Sequence, residues 1–186
     1  MDILSELEYR KITVGHVFYR FLDEKAYMDN LISFIQSGVE NNQQILVIEN
    51  MRNLPILQAF IESNLRESQR ATIRLVNNYD YYLSKGDFNT QNITSHFAID
   101  LSNFNKCHST ILTWAHVEWS SSKSIEELLK EFETVADDFV QDSQTLSVCA
   151  YPSARLTTRL NSALEESHQY IMTDDSFALS SFYRNL

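Results

Sequence analysis

Residues 16–50, HVFYRFLDEKAYMDNLISFIQSGVENNQQILVIEN, run from an aromatic-apolar segment through a short turn and an amphipathic stretch to a second apolar segment. A strand, a turn, a helix and a second strand in that order require a crossover, so the two strands lie parallel in one sheet. The turn carries the functional information. In many α/β proteins the loop after such a strand cradles a phosphate. It uses several glycines, so that consecutive backbone N–H groups converge on the anion, together with a Lys-Ser or Lys-Thr pair. Here the turn is Leu22-Asp23-Glu24-Lys25, with no glycine. At ~4 Å and an effective dielectric of ~20, each carboxylate repels a phosphate charge by about 4 kcal/mol. A helix N-terminus returns only ~0.3–1 kcal/mol, and Lys25 offsets part of the difference. The unit has a nucleotide-binding layout without the chemistry that goes with it.

The same alternation continues along the chain. Residues 17–21 read as a strand, and the following helix places Met28, Leu31, Ile32, Ile35 and Val39 on one face. Residues 44–48 form an apolar strand suited to burial on both faces. Asn53 stands where a helix cap belongs, ahead of Leu54, Leu57, Phe60, Ile61 and Leu65. A strand at 72–76 precedes an irregular, tyrosine-rich segment at 77–88. A helix from Thr90 carries Ile93, Phe97, Leu101 and Phe104. After a strand at 110–117, Ser124 with Glu127 makes a capping box. It opens a helix with Ile125, Leu128, Leu129, Phe132, Val135, Ala136 and Phe139 facing inward. A strand at 146–150, a helix at 157–166 and a short strand at 170–173 close the series. Strands alternating with long helices predict an α/β three-layer sandwich on a mainly parallel sheet of about five or six strands.

At 186 residues, with three glycines, two prolines and no repeat or low-complexity linker, the chain is expected to be a single domain, 1–186. A net charge of -10 argues against nucleic acid or an anionic membrane as partner. No apolar run approaches the ~20 residues of a membrane span. The first residues lack the apolar core of a signal peptide, and Cys107 and Cys149 give no disulfide framework. A cytoplasmic protein is expected.

Several blocks carry a resemblance: residues 16–50, then YDYYLSKGDF, ILTWAHVEWSSS with IEELLKEFE, LSVCAYPSARLT and SHQYIMTDDSFALSSFYR. In this order and spacing the chain resembles the MEDS domain, the sensory domain of methanogens and methylotrophs, named partly for a dichloromethane-responsive regulator. The likeness spans about residues 16–184. It implies a RecA-like α/β domain, similar to the circadian-clock type of ATPase, with a degenerate phosphate loop. Such domains occur in bacterial and archaeal signalling proteins, often fused to histidine kinase or DNA-binding modules, and are suspected of sensing small molecules such as hydrocarbon derivatives. The family pattern has Gly-Glu before the Trp of the central strand, where this chain has Ala115 and His116 before Trp119. No acidic role is therefore carried over to those positions. With no helix-turn-helix or kinase signature, the chain is expected to act alone or on a separate partner.

Ligands of open α/β sheets bind beyond the carboxyl ends of the strands. His116 and Glu118, alternating near the end of their strand, are therefore candidate pocket-wall groups, or else polar residues satisfied by neighbours. Trp119 and Tyr151 would supply apolar contact, with Arg155 fixing polar orientation. Tyr79 and Tyr82 offer aromatic surface to a ligand or pack their segment onto the sheet. Asp23 stands in the degenerate loop. The segments 22–25, 49–52, 77–82, 116–119 and 151–155 are expected to converge on one surface. His16 has no second ligand at a metal-like spacing and reads as structural, while His96 and His168 read as exposed on helices. The Cys107-His108 pair alone makes no tetrahedral site, Cys149 reads as a small core residue, and the acidic run 131–142 reads as a solvated helix face. No metal, cofactor or catalytic set is expected.

The leading expectation is a non-enzymatic sensory or regulatory signalling protein that binds a small molecule or a signalling partner such as a histidine kinase or transcription regulator. A homo-oligomer is compatible with it. A ligand-free inhibitor or adaptor of a sensor kinase is the alternative, and a residual nucleotide binder ranks third.

Overall fold

The structure, a computed structural model, describes the backbone of residues 3–4 and all of residues 12–83, 86–104, 110–120 and 124–184. Cys107 and His108 lie outside these residues. The elements in chain order are β1 (Ile3–Leu4), β2 (Gly15–Phe21), α1 (Glu24–Glu40), β3 (Gln44–Glu49), α2 (Leu54–Asn64), α3 (Glu67–Arg70), β4 (Ile73–Asn77) and α4 (Asn78–Leu83). There follow α5 (Thr90–Phe104), β5 (Ile111–His116), α6 (Ile125–Ser143), β6 (Leu146–Pro152), α7 (Thr158–Ser167), β7 (Tyr170–Met172) and β8 (Phe177–Leu179). These strands join one sheet in the order β1-β8-β7-β2-β6-β5-β3-β4. The run from β7 to β4 is parallel throughout, and β1 and β8 pair antiparallel at one edge. This is a mainly parallel α/β sheet, as the strand-helix alternation requires.

Two apolar layers enclose the sheet. Helices α1 and α2 bury Tyr27, Leu31, Phe34, Ile35 and Leu57 against Val17, Tyr19, Val47, Trp114 and Val148. On the other face α4 to α7 bury Tyr81, Tyr82, Ile93, Leu129, Phe132 and Leu164 against Phe18, Leu46, Ile48 and Cys149. Helix α1 runs close to the sheet because Gly38 has no side chain. A Cβ there would stand 2.7 Å from the Ile45 Cδ1 and 2.9 Å from the Leu112 Cδ1.

Several local expectations need correction. The segment after β4 is helical rather than irregular. The Asn77 side chain accepts the backbone N–H groups of Tyr79 and Asp80, and Tyr81, Tyr82 and Leu83 turn inward. Ser124 and Asn53 occupy N-cap positions, but neither side chain makes a capping bond. At the second helix Asn50 Oδ1 takes the N–H groups of Arg52 and Asn53 instead. The inward face of α6 is rotated from the expected stripe, so Val135 is exposed while Glu133, Asp137 and Val140 are buried. The run 131–142 is therefore not simply a solvated face. His168 is fully buried at the end of α7, where its ring stacks on that of His16 at 3.8 Å. No helix among the described residues is long and apolar enough to cross a membrane.

Candidate functional site

In a parallel sheet every strand delivers its carboxyl end to the same edge. The helices following β2 and β3 pack on one face and those following β5 and β6 on the other. The chain therefore departs in opposite directions at the β2/β6 and β5/β3 pairs, which is where α/β sheets open a crevice.

At the first of these, β2 passes into α1 through Leu22 and Asp23 alone. Asp23 caps the helix by accepting the N–H of Ala26 at 2.8 Å. The backbone N–H groups of Leu22 and Asp23 both donate to Asp174 Oδ2, at 3.0 and 2.9 Å. Asp174 comes from the turn between β7 and β8, and its other oxygen accepts the Tyr19 hydroxyl at 2.8 Å. At this helix N-terminus, the kind of place where α/β folds hold a phosphate, the N–H groups of Leu22, Asp23 and Ala26 are taken by the chain's own carboxylates.

At the second, Glu49 ends the apolar strand β3 and is fully buried. Its carboxylate accepts the Tyr27 hydroxyl, meets His116 Nδ1 at 3.0 Å and accepts the Asn50 N–H at 2.6 Å. Trp114 Nε1 donates to the Tyr27 hydroxyl at 3.0 Å, Asn50 Nδ2 stands 3.3 Å from His116 Nδ1, and Asn78 Nδ2 donates to the His116 carbonyl at 3.0 Å. Burial and the Glu49 carboxylate push the Tyr27 phenol well above its ordinary value, so it serves as a donor. Phe21 stacks edge-on against His116 at 5.5 Å, linking this network to the β2 end.

Beyond β5 the chain places Glu118 and Trp119 beside the short turn Ser153–Arg155 that follows β6. Arg155 donates to Glu118 Oε1 at 2.7 Å and to the Trp119 carbonyl at 2.5 Å, and its guanidinium lies 3.8 Å over the Trp119 ring. The far side of Trp119 meets Tyr151 at 5.5 Å.

The sequence-derived residues thus fall into groups. His116 joins Glu49; Glu118, Trp119, Tyr151 and Arg155 form one stack; Asp23 pairs with Asp174 through its backbone. Tyr82 is buried beside Phe88 and Phe132, whereas Tyr79 is exposed at the start of α4. Trp119 at 6% and Tyr151 at 0% exposure are interior groups rather than contact surface, because Arg155 covers one and the Tyr151 hydroxyl turns inward to donate to Glu133. The exposed apolar groups of this edge are Leu22 at 80%, Met51 at 74% and Tyr79 at 60%. Sequence reasoning placed residues 49–52 at this edge without singling out Glu49, and it missed Asp174. An acid closing an otherwise apolar strand was a usable signal for the first; nothing local marks the second.

Two cavities lined by described residues lie away from this stack. An apolar one of about 30 Å³ sits between α4, α5, α6 and the sheet, lined by Tyr81, Tyr82, Ile93, Phe97, Phe132 and Cys149 among others. A cleft of about 420 Å³ lies at the amino edge beside Ser37, Asn41, Gln43 and Thr110. Trp119 and Tyr151 line neither.

A family model described as the methanogen/methylotroph, DcmR sensory domain (MEDS) matches residues 15–169. No curated protein sequence matches the chain. Among solved structures, the KaiC-like protein PH0186 of Pyrococcus horikoshii OT3 superposes with a TM-score of 0.56 at 14% identity, over 87% of this chain and 71% of that one. The flagellar accessory protein FlaH of Methanocaldococcus jannaschii gives 0.52 at 8% identity, over 91% and 76%. At these identities the likeness establishes the RecA-like fold.

Proposed function

The chain belongs to the MEDS family of sensory domains, and from that premise we propose that it is a regulatory protein that works by recognition, without catalysis. The observation that carries this reading is the occupation of the helix α1 N-terminus by Asp174 and Asp23. A nucleotide phosphate approaching that point meets two carboxylates and finds the N–H groups of Leu22, Asp23 and Ala26 already bonded. In this reading the carboxyl edge of the sheet recognises a signalling protein, a histidine kinase or transcription regulator being the natural class. Leu22, Met51 and Tyr79 supply the contact area, and Arg155 and Glu118 stand at its polar margin. Affinity capture from the source cell tests it: the parent should retain a partner that a Leu22→Ser/Met51→Ser/Tyr79→Ser variant loses. Equal capture by both would place recognition on another surface.

A small ligand is the second reading, favoured by one observation: among the described residues the buried Tyr81 hydroxyl, beside the apolar cavity, has no hydrogen-bond partner. That cavity, about 30 Å³, is far smaller than the roughly 300–1,000 Å³ of a usual small-molecule pocket. A ligand would have to open it, so a thermal-shift screen with small polar-apolar compounds should give no stabilisation if the partner reading is right.

A further inference from the structure

His16, Glu133, Cys149 and His168 come from β2, α6, β6 and the end of α7, and meet between the sheet and the two helices. All four are buried, and the atoms they could offer a metal lie within 4.8 Å of one another. His16 Nε2 stands 3.3 Å from Cys149 Sγ and 3.4 Å from Glu133 Oε2. His168 Nε2 is 3.4 Å from the same oxygen. A tetrahedral zinc ion, with bonds of about 2.0–2.3 Å, sets its ligand atoms about 3.3–3.6 Å apart.

The outer ends of these side chains are held from behind. His168 Nδ1 lies 2.8 Å from the Leu164 carbonyl, which can only accept, so Nδ1 carries the proton and a neutral ring presents a lone pair at Nε2. That lone pair faces a buried carboxylate oxygen, and neither atom has a hydrogen-bond partner among the described residues. A metal cation held between these two acceptors would satisfy both. His16 Nδ1 lies 3.4 Å from Asp137 Oδ1, and Arg184 donates to the other oxygen of Asp137 at 2.7 Å. The Tyr151 hydroxyl donates to Glu133 Oε1, which leaves Oε2 pointing inward. His168 is oriented as metal-binding imidazoles are, its far nitrogen on a backbone carbonyl and its near one free among the described residues.

We infer that His16 Nε2, His168 Nε2, Cys149 Sγ and Glu133 Oε2 bind one divalent transition-metal cation, zinc by the character of the ligands, in a closed four-coordinate site. Binding releases the Cys149 thiol proton, and the proton that His16 carries in the metal-free protein, to solvent. The ion then stands against one thiolate and one carboxylate, and the centre is neutral. With every position filled by protein, the metal fastens α6 and α7 to the sheet rather than acting on a substrate. Without it, a proton on His16 is the competing cation: burial opposes that charge, while Cys149, Asp137 and Glu133 favour it.

Cobalt(II) titration of the full chain, freed of metal by chelation, separates the two cases. The expected result is one equivalent bound, with a thiolate-to-cobalt charge-transfer band that zinc abolishes by competition. Cys149→Ala should lose that band while remaining folded by circular dichroism. Asp137→Asn, a change at a positioning residue, should keep the spectrum but bind about 10–100-fold more weakly. A folded parent that shows no band and raises its melting temperature with neither cobalt nor zinc would overturn the site in favour of the His16 proton. A band that persists in Cys149→Ala would assign the metal to Cys107, the chain's other cysteine, and equally overturn it.

Discussion

Asp174 Oδ2 accepts the backbone N–H of Asp23 at 2.9 Å, across 151 residues of sequence. The same oxygen takes the Leu22 N–H at 3.0 Å. An internal anion thus sits on the helix end that gives RecA-like folds their usual phosphate contact.

Asp174→Ala should therefore destabilise the protein while exposing a site still ringed by Asp23 and Glu24. It leaves two N–H groups and the Tyr19 hydroxyl without this acceptor. Since a lost partner costs about 1–3 kcal/mol where the group is buried and less where water replaces it, a loss of about 1–2 kcal/mol in urea denaturation is expected. An unchanged midpoint would mean that the turn bearing Asp174 does not hold β2 and α1 together.

Replacing Trp119 by Ala should cost about 3–5 kcal/mol, the range for a large buried aromatic, because its ring is enclosed between Arg155 and Tyr151. Arg155→Ala, removing a half-exposed ion pair and a cation–π contact, should cost only ~1 kcal/mol. If the two variants lost equal stability in chemical denaturation, Trp119 would not be the packing element described.

Tyr27→Phe should cost about 1–3 kcal/mol. It leaves Glu49 without its hydroxyl donor and Trp114 Nε1 without its acceptor, both in the interior. Comparison with Tyr79→Phe, at an exposed position where less than ~0.5 kcal/mol is expected, calibrates the measurement. Matching melting temperatures for both variants would show that the Glu49 network contributes nothing.

Leu22→Ser, Met51→Ser and Tyr79→Ser combined should leave stability within about 0.5 kcal/mol per position, since all three are exposed. Partner capture should fall by tenfold or more, the loss of roughly one hot-spot contact. A variant that unfolds would show these groups to be part of the core.

The sequence displays the parallel strands because each is a local apolar run between turns, and periodicity reports such runs directly. It conceals β1 and β8, which are two and three residues long and owe their conformation to pairing. The faces of α1 and α6 were approximately legible, but their rotation was not: Glu133 and Asp137 look like solvated acids until His16 and His168 are placed beside them. His16 and Cys149 are 133 residues apart, so no spacing rule finds them. The carboxyl edge could be located from topology. Which of its side chains are interior depended on Arg155 folding over Trp119, a contact between segments that sequence does not link.

In the proposed reading this RecA-like fold works without a nucleotide. Thermal unfolding of the full chain with and without magnesium-ATP tests this most directly, since a ligand at about a hundredfold over its Kd adds about 2.7 kcal/mol to stability. Superimposable transitions with ATP, ADP and GTP, and no phosphate release, are expected. A nucleotide-dependent rise in melting temperature that disappears when residues 23–25 are changed would contradict that reading.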